Sequence, residues 1–223
     1  MAIDKRVASA AEAVAGIGDG ASVMVSGFGG AGFANTLILA LRDAGPRGLT
    51  LIVNSATHPL SQTHVLIEAG LVRKVICSAS RGRGKELSPF EKLHKAGKIE
   101  LVMMPQGNFA ECIRAGGAGI PAFYTPSGVG TELTRGKEVR RFGGRDYVLE
   151  EAISADVALI RGDLADRFGN LMFRHAQMNF GPAMATAAKL AIAEVRATQE
   201  APIAPTLVQL PGVYVQRVFA VGK

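Results

Sequence analysis

Three short stretches of this chain bring together residue types suited to holding an anion. The first, Asp19 to Asn35 (DGASVMVSGFGGAGFAN), places Gly27, Gly29, Gly30 and Gly32 within six residues, directly behind an apolar run. Glycines this dense behind a strand mean a sharp bend, or a backbone that a ligand approaches where a Cβ would collide. A strand, a glycine bend and a helix N-terminus in succession make an anion or phosphate site. The other two stretches are Asn54-Ser55-Ala56-Thr57 and Pro105-Gln106-Gly107-Asn108, each following its own apolar run. The three strand ends, SGFGGAG, NSAT and PQGN, carry small or amide residues and no charged catalytic side chain. That suits hydrogen-bond donation better than proton transfer.

Other chemistries find little support. No serine, cysteine or glutamate sits in a recognisable activated-nucleophile setting, so no catalytic nucleophile is nominated. Cys77 and Cys112 lack CxxC or metal-like spacing and read as free thiols of a reducing compartment. The four histidines (His58, His64, His94, His175) form no HxxxH or HExxH pattern, so no metal site is expected. Gly27 to Gly32 spells GxGxxG, yet no convincing acid closes the next strand as a dinucleotide site requires.

Each feature also has a plain structural reading. The glycines could form a tight strand-to-helix turn, and Asn54 or Gln106 could be turn formers. Arg81, Arg83 and Lys85 read as a solvated basic loop, and His58 as a surface loop residue. Glu68, Glu91 and Glu111 read as helix-surface partners of lysines.

The elements that must position these stretches alternate between strand and helix. The chain has 223 residues, 48% of them hydrophobic, enough for one α/β domain with a sizeable core. A first helix is expected within residues 4 to 17, and strands at Ala21 to Val25, Leu49 to Val53, Lys74 to Ser78 and Ile99 to Met104. Helices are expected at Asn35 to Ala44, Gln62 to Ala69, Phe90 to Ala96 and Phe109 to Ala115. Ala115 to Thr131 reads as an ordered loop, Lys137 to Leu149 as a hairpin turning at Gly143-Gly144, and Val157 to Arg161 as a strand. Asp166 to Phe173 reads as a turn into a strand, Pro182 to Ala197 as an alanine-rich helix, and the tail as a final strand. This alternation predicts an open, mostly parallel sheet with helices on both faces, in one domain over residues 1–223. Ligands of such sheets bind beyond the carboxyl ends of the strands, where the three stretches fall.

The net charge of +6 and a pI near 9.6 admit an acidic or phosphate-bearing partner. The basic residues are scattered and Trp is absent, so nucleic acid is not expected. The absence of a long apolar run or signal-like start makes a cytoplasmic protein with no membrane contact the expectation.

Further motifs follow in order: PQGNFAE at Pro105 to Glu111, GIPAFYTPSGVGT at Gly119 to Thr131, and GKEVR at Gly136 to Arg140. DRFGNL, NFGPAMATAAKLAIAEV and LPGVYVQRV complete the series. With Asp19-Gly20 and Ser26-Gly27-Phe28-Gly29 ahead of them, the chain resembles the A (alpha) subunit of family I, 3-oxoacid-type coenzyme A transferases almost end to end. It departs from that pattern at Ser26, where the family usually has glycine, at Ala34, where it has proline, and at Ser55. These changes fall on the presumed ligand face.

The resemblance implies half an enzyme. The family's nucleophile is a glutamate in a Ser-Glu-Asn-Gly motif of a B subunit; this chain contains no such motif. It implies an αβ or α2β2 assembly that moves coenzyme A from a short acyl-CoA to a 3-oxo acid. Coenzyme A is then a substrate, and no tightly bound cofactor is expected. Gly27, Phe28, Gly29, Gly30, Gly32, Asn54 and Gln106 are implied to line the cleft and donate to oxyanions. Two alternatives stay open: a subunit of a divergent acyl-CoA hydrolase or lyase, and a non-catalytic ligand-binding domain of the same fold.

Overall fold

The computed structural model describes residues 3–82 and 84–222, so Arg83 of the basic loop lies outside them. A short helix α1 (Ala10–Val14) precedes β1 (Ser22–Val25), α2 (Asn35–Ala44), β2 (Leu49–Ser55) and α3 (Thr63–Glu68). Next come β3 (Val72–Ala79), α4 (Pro89–Lys95), β4 (Glu100–Met103) and α5 (Gln106–Gly117). The second half holds β5 (Ala122–Thr125), β6 (Val139–Phe142), β7 (Arg145–Glu151), β8 (Ala155–Arg161), β9 (Leu164–Asp166) and β10 (Leu171–Met172). It ends with α6 (Gly181–Thr186), β11 (Ala188–Val195), β12 (Ala197–Gln199) and β13 (Arg217–Ala220).

Seven strands form one parallel sheet in the order β13-β11-β8-β1-β2-β3-β4. The fold is α/β, as the strand–helix alternation predicts. Successive residues of a strand face opposite sides, and the buried residues divide accordingly. Val23, Val25, Leu51, Val53, Val157, Leu159 and Ile192 pack with α1 to α4 on one side. Met24, Ile52, Ala158, Ile160, Ala191 and Ala193 pack with α5 and α6 on the other. The chain runs outward from β1 through β4, then returns to lay β8 on the other side of β1. The order therefore reverses beside β1, which places the glycine stretch at the sheet's switch point.

Helix ends follow local chemistry. Gly45 ends α2 in the left-handed conformation, its N–H bonding back to Leu41 and Arg42. Leu37, Ile38 and Leu41 are the buried stripe of α2, and burying each contributes roughly 2 kcal/mol. Ser88 and Glu91 close a capping box ahead of α4, so Glu91 caps its own helix instead of pairing with a lysine. Glu111 pairs with Arg114.

Three expectations need correction. The first helix covers only Ala10–Val14, because Arg6 bridges in parallel to Val218 and Val7 N–H donates to the Val218 carbonyl, 2.9 Å. That edge pairing holds the chain extended until Ser9 caps the helix. The segment Ala115 to Thr131 is not all loop: α5 runs to Gly117, and Phe123 and Tyr124 lie in β5, paired antiparallel with β7.

The largest error is Pro182 to Ala197. Helix occupies only Gly181–Thr186, and Ala188–Val195 is β11, paired with both β8 and β13. Alanine's helix preference is a weak prior that tertiary context overrides. The small side chains of Ala191 and Ala193 let α6 lie close against this part of the sheet, while Ile192 fills the opposite core. The hairpin turning at Gly143-Gly144 is present as β6 and β7.

Candidate functional site

Behind β1 the backbone folds back on itself. Phe28 N–H donates to the Ala31 carbonyl and Ala31 N–H to the Phe28 carbonyl, both 3.0 Å, making a two-residue hairpin around Gly29-Gly30. Both central residues have positive φ, +60° and +94°, which a twist-matched tight hairpin turn demands and glycine supplies cheaply. Phe28, Gly29 and Gly30 are exposed at the tip, and Gly27 and Gly32 are buried at its neck. This division narrows the donors. Gly27 N–H is spent on Asn179 Oδ1 (3.1 Å) and Phe28 N–H inside the hairpin. Among the described residues no acceptor engages the N–H groups of Gly29 and Gly30.

The carboxyl end of β2 supplies the second wall. Asn54 is buried, and its Oδ1 accepts from Gln106 Nε2 and from Ser78 Oγ, each at 2.9 Å. With its oxygen committed to two donors, what Asn54 offers outward is its NH2 group. Gln106 is exposed and is the first residue of α5, after Pro105, not part of an isolated turn. No side chain caps α5 and no acid occupies its first turn, so the positive end of the helix is uncompensated by side chains.

Gly27 and Asn54 share a cavity of about 10 Å³ with Ser26, Phe33, Ser55 and His58. That is about the space of one water molecule. Gln106 joins the group through Asn54. The structure thus brings the glycine neck and the two amides together. His58, expected as a plain surface histidine, is half-buried, packs at a tilt against Phe33 with ring centroids 5.0 Å apart and accepts from Leu60 N–H at 3.2 Å. Its place just past Asn54-Ser55-Ala56-Thr57 is the sequence signal for it.

Two departures from the family pattern do not lie on an open face. Ser26 and Ala34 are fully buried. Ser26 Oγ donates to the Gly32 carbonyl at 2.6 Å and accepts from Arg161 N–H at 3.3 Å, closing the neck of the hairpin. Buried Glu194, at the end of β11, pairs with Arg161 and accepts from Leu37 N–H at 3.0 Å in the first turn of α2. Of the basic loop, Arg81 and Lys85 are exposed, and the Arg81 carbonyl accepts from Thr57 Oγ1 at 2.8 Å.

Neither thiol offers a nucleophile. Burial pushes Cys77 up to about 11 and Cys112 up to about 12, so both stay protonated near neutrality. No cluster of three or more His, Cys, Asp or Glu able to hold a metal occurs among the described residues. A cavity of about 510 Å³ lies between the β3–β4 edge and β7, beside the third stretch, where Asn108 Nδ2 donates to Glu150 at 3.0 Å. Ile76, Val102 and Met104 line it beside the Lys137–Glu150 ion pair, 2.6 Å. The wall at Asn54 is shallow by comparison. Its chemistry is neutral donor groups, with the His58 ring beside them.

A parallel sheet with a glycine hairpin and paired amides at its strand ends defines an α/β protein with hydrogen-bond donors gathered beyond its strands. Sequence comparison gives the class: the family described as Coenzyme A transferase matches residues 7–220, and this chain belongs to it. It is 49% identical over 221 residues to the A subunit of 3-oxoadipate CoA-transferase from Pseudomonas putida, covering 99% of this chain and 95% of that one. It is 48% identical over 215 residues to the A subunit of succinyl-CoA:3-ketoacid coenzyme A transferase from Xanthomonas campestris pv. campestris, covering 96% and 87%. Its fold superposes on an acyl-CoA transferase of Escherichia coli O157:H7 with a TM-score of 0.84 at 26% identity. That match takes in 99% of this chain and 48% of the other, about half its length. Within the family, the chain is a CoA-transferase subunit of the A type.

Proposed function

We propose that this chain is the donor-lined half of a two-subunit enzyme moving coenzyme A from succinyl-CoA to a 3-oxo acid, acetoacetate or 3-oxoadipate. Residues 1–223 serve as one domain, in the cytoplasm, within an αβ or α2β2 assembly completed by a B subunit. The B subunit carries the attacking glutamate in its Ser-Glu-Asn-Gly motif. The observation that carries the reading is the amide pair: Asn54 Oδ1 accepts from Gln106 and Ser78 at the end of β2, which leaves a neutral NH2 group to donate. The A-subunit names of the full-length relatives support the division of labour and the substrate class.

In this scheme the partner's carboxylate attacks the thioester carbonyl, forming a tetrahedral oxyanion. Its collapse breaks the C–S bond, giving an acyl-glutamyl anhydride and coenzyme A thiolate. The thiolate attacks the glutamyl carbonyl, expels the first acid as its carboxylate and leaves a glutamyl-CoA thioester. The incoming 3-oxo acid carboxylate attacks that thioester to form a second anhydride, releasing the thiolate again. The thiolate takes the new acyl group and the glutamate is regenerated. Each addition builds negative charge on a carbonyl oxygen, which fixed donors stabilise without losing or gaining a proton. Gly29, Gly30, Asn54 and Gln106 supply those donors, Phe28 walls the tip, and Gly27 and Gly32 form its neck. Coenzyme A is a substrate throughout, and no tightly bound cofactor is required.

The test is reconstitution. Purified together with its B subunit, then supplied with succinyl-CoA and either 3-oxo acid, the chain is expected to support CoA transfer; alone it is expected to show none. Robust transfer by the isolated chain overturns the half-site reading. Release of free coenzyme A without dependence on an acceptor acid favours a hydrolase.

A further inference from the structure

We propose that Asn179 is the positioning residue that aims the glycine hairpin, an inference that rests on that hairpin being a wall of the transfer cleft. Asn179 lies 152 residues beyond Gly27, in the turn that leads into α6. Its amide has two acceptor sites and two donor hydrogens, and the fold uses all four. Oδ1 accepts from Gly27 N–H (3.1 Å) and Phe180 N–H (2.7 Å). Nδ2 donates to the carbonyls of Ala31 (3.1 Å) and Ala176 (2.7 Å).

Two of these bonds go to the hairpin, one to each limb. The other two tie the same planar group to its own turn. One rigid amide therefore fixes both the height and the tilt of the hairpin against the α6 platform. That platform is itself secured: Phe180 meets Phe109 of α5 edge-on at 5.5 Å, and Gly181 N–H closes on the Met178 carbonyl at 2.8 Å. The approach is so close that a Cβ on Gly32 would stand 2.5 Å from Asn179 Nδ2 and 2.7 Å from the Gln177 carbonyl oxygen. Asn179 and the Gln177 carbonyl fill the space a side chain would need, and a φ of +82° favours glycine at position 32 as well.

The hairpin's internal bonds, Phe28 with Ala31, do not involve Asn179. Losing the amide leaves the hairpin's shape but frees its direction. A donor displaced by about 1 Å from a developing oxyanion costs on the order of 100-fold in rate. The expected signature of Asn179→Ala is thus a turnover defect.

Hydrogen–deuterium exchange on the chain alone and steady-state kinetics with the B subunit test this together. In Asn179→Ala, exchange at Gly27 N–H is expected to rise at least about tenfold while sheet amides such as Leu51 hold their protection. In the complex, kcat is expected to fall roughly 10- to 100-fold with KM for the acyl-CoA changed less than about threefold. Asn179→Asp keeps the acceptor for Gly27 but loses the donor to Ala31. It should fall between wild type and alanine in both readouts, and it decides the matter if the alanine variant does not fold. Unchanged exchange at Gly27, or faster exchange with unaltered kcat, overturns the role; if the alanine variant loses protection throughout the sheet, the same two outcomes in Asn179→Asp overturn it. If the wild-type complex shows no CoA transfer, the proposed function falls, and exchange at Gly27 still decides whether Asn179 holds the hairpin.

Discussion

Asn54 shows how a side chain without a titrating proton can be the sharpest feature of a site. Its neighbours hold it in place: Oδ1 accepts from Gln106 Nε2 and from Ser78 Oγ, which leaves the NH2 group to donate. Replacing it by alanine removes one donor at the proposed oxyanion and one acceptor for Gln106. We expect Asn54→Ala, assembled with the B subunit, to lose about 10²- to 10³-fold in kcat while retaining most of its affinity for acyl-CoA. A loss confined to KM would mean that Asn54 only holds substrate. At the same scale, Ser26 is no longer a candidate on the ligand face, since its hydroxyl is consumed between Gly32 and Arg161.

At the scale of elements, β11 decides the most. It lies between β8 and β13, and its carboxyl end carries Glu194 to Arg161 and to the first turn of α2. Its alanines are packing surfaces, fully buried at Ala191 and Ala193. Ala193→Leu must push α6 away from the sheet and is expected to cost about 1–3 kcal/mol in urea unfolding. A value near zero would contradict the tight seat of α6 on β11. The same element order puts the glycine hairpin at the switch point and Asn54 on the neighbouring strand.

For the whole molecule, Asp156 links the base of the β1–β8 pair to β11. It accepts from Ser22 N–H and Oγ at 3.0 and 2.7 Å and from Lys189 Nζ at 2.9 Å. The Ser22 N–H bond first, and the lysine next, hold its carboxyl well below the usual carboxylate range. A folded pKa below the unfolded value of about 3.9 gives stability that is present above that pH and lost as pH falls through the folded pKa. The gap in urea midpoint between wild type and Asp156→Asn should be full near about pH 6 and narrow steadily below about pH 4. A gap independent of pH would assign the effect to packing. No helix among the described residues is long and apolar enough to cross a membrane. The shallow wall at Asn54 fits a cleft finished by a second polypeptide, and the inactivity expected of the isolated chain tests that at the same scale.

The sequence by itself determined the strand–helix rhythm, both ends of α2 (Asn35–Ala44), and the three stretches at strand ends, because apolar period, glycine density and helix-stop residues act locally. It also held the ordered motifs that mark the A half of a coenzyme A transferase. Only the tertiary structure turned an alanine-rich run into a central strand, since both neighbouring strands had to be in place before its backbone could pair. Only the fold could show that Gly27 and Phe28 have spent their N–H groups while Gly29 and Gly30 have not. The fold alone joined Asn179 to Gly27 across 152 residues, through hydrogen bonds that no local pattern encodes.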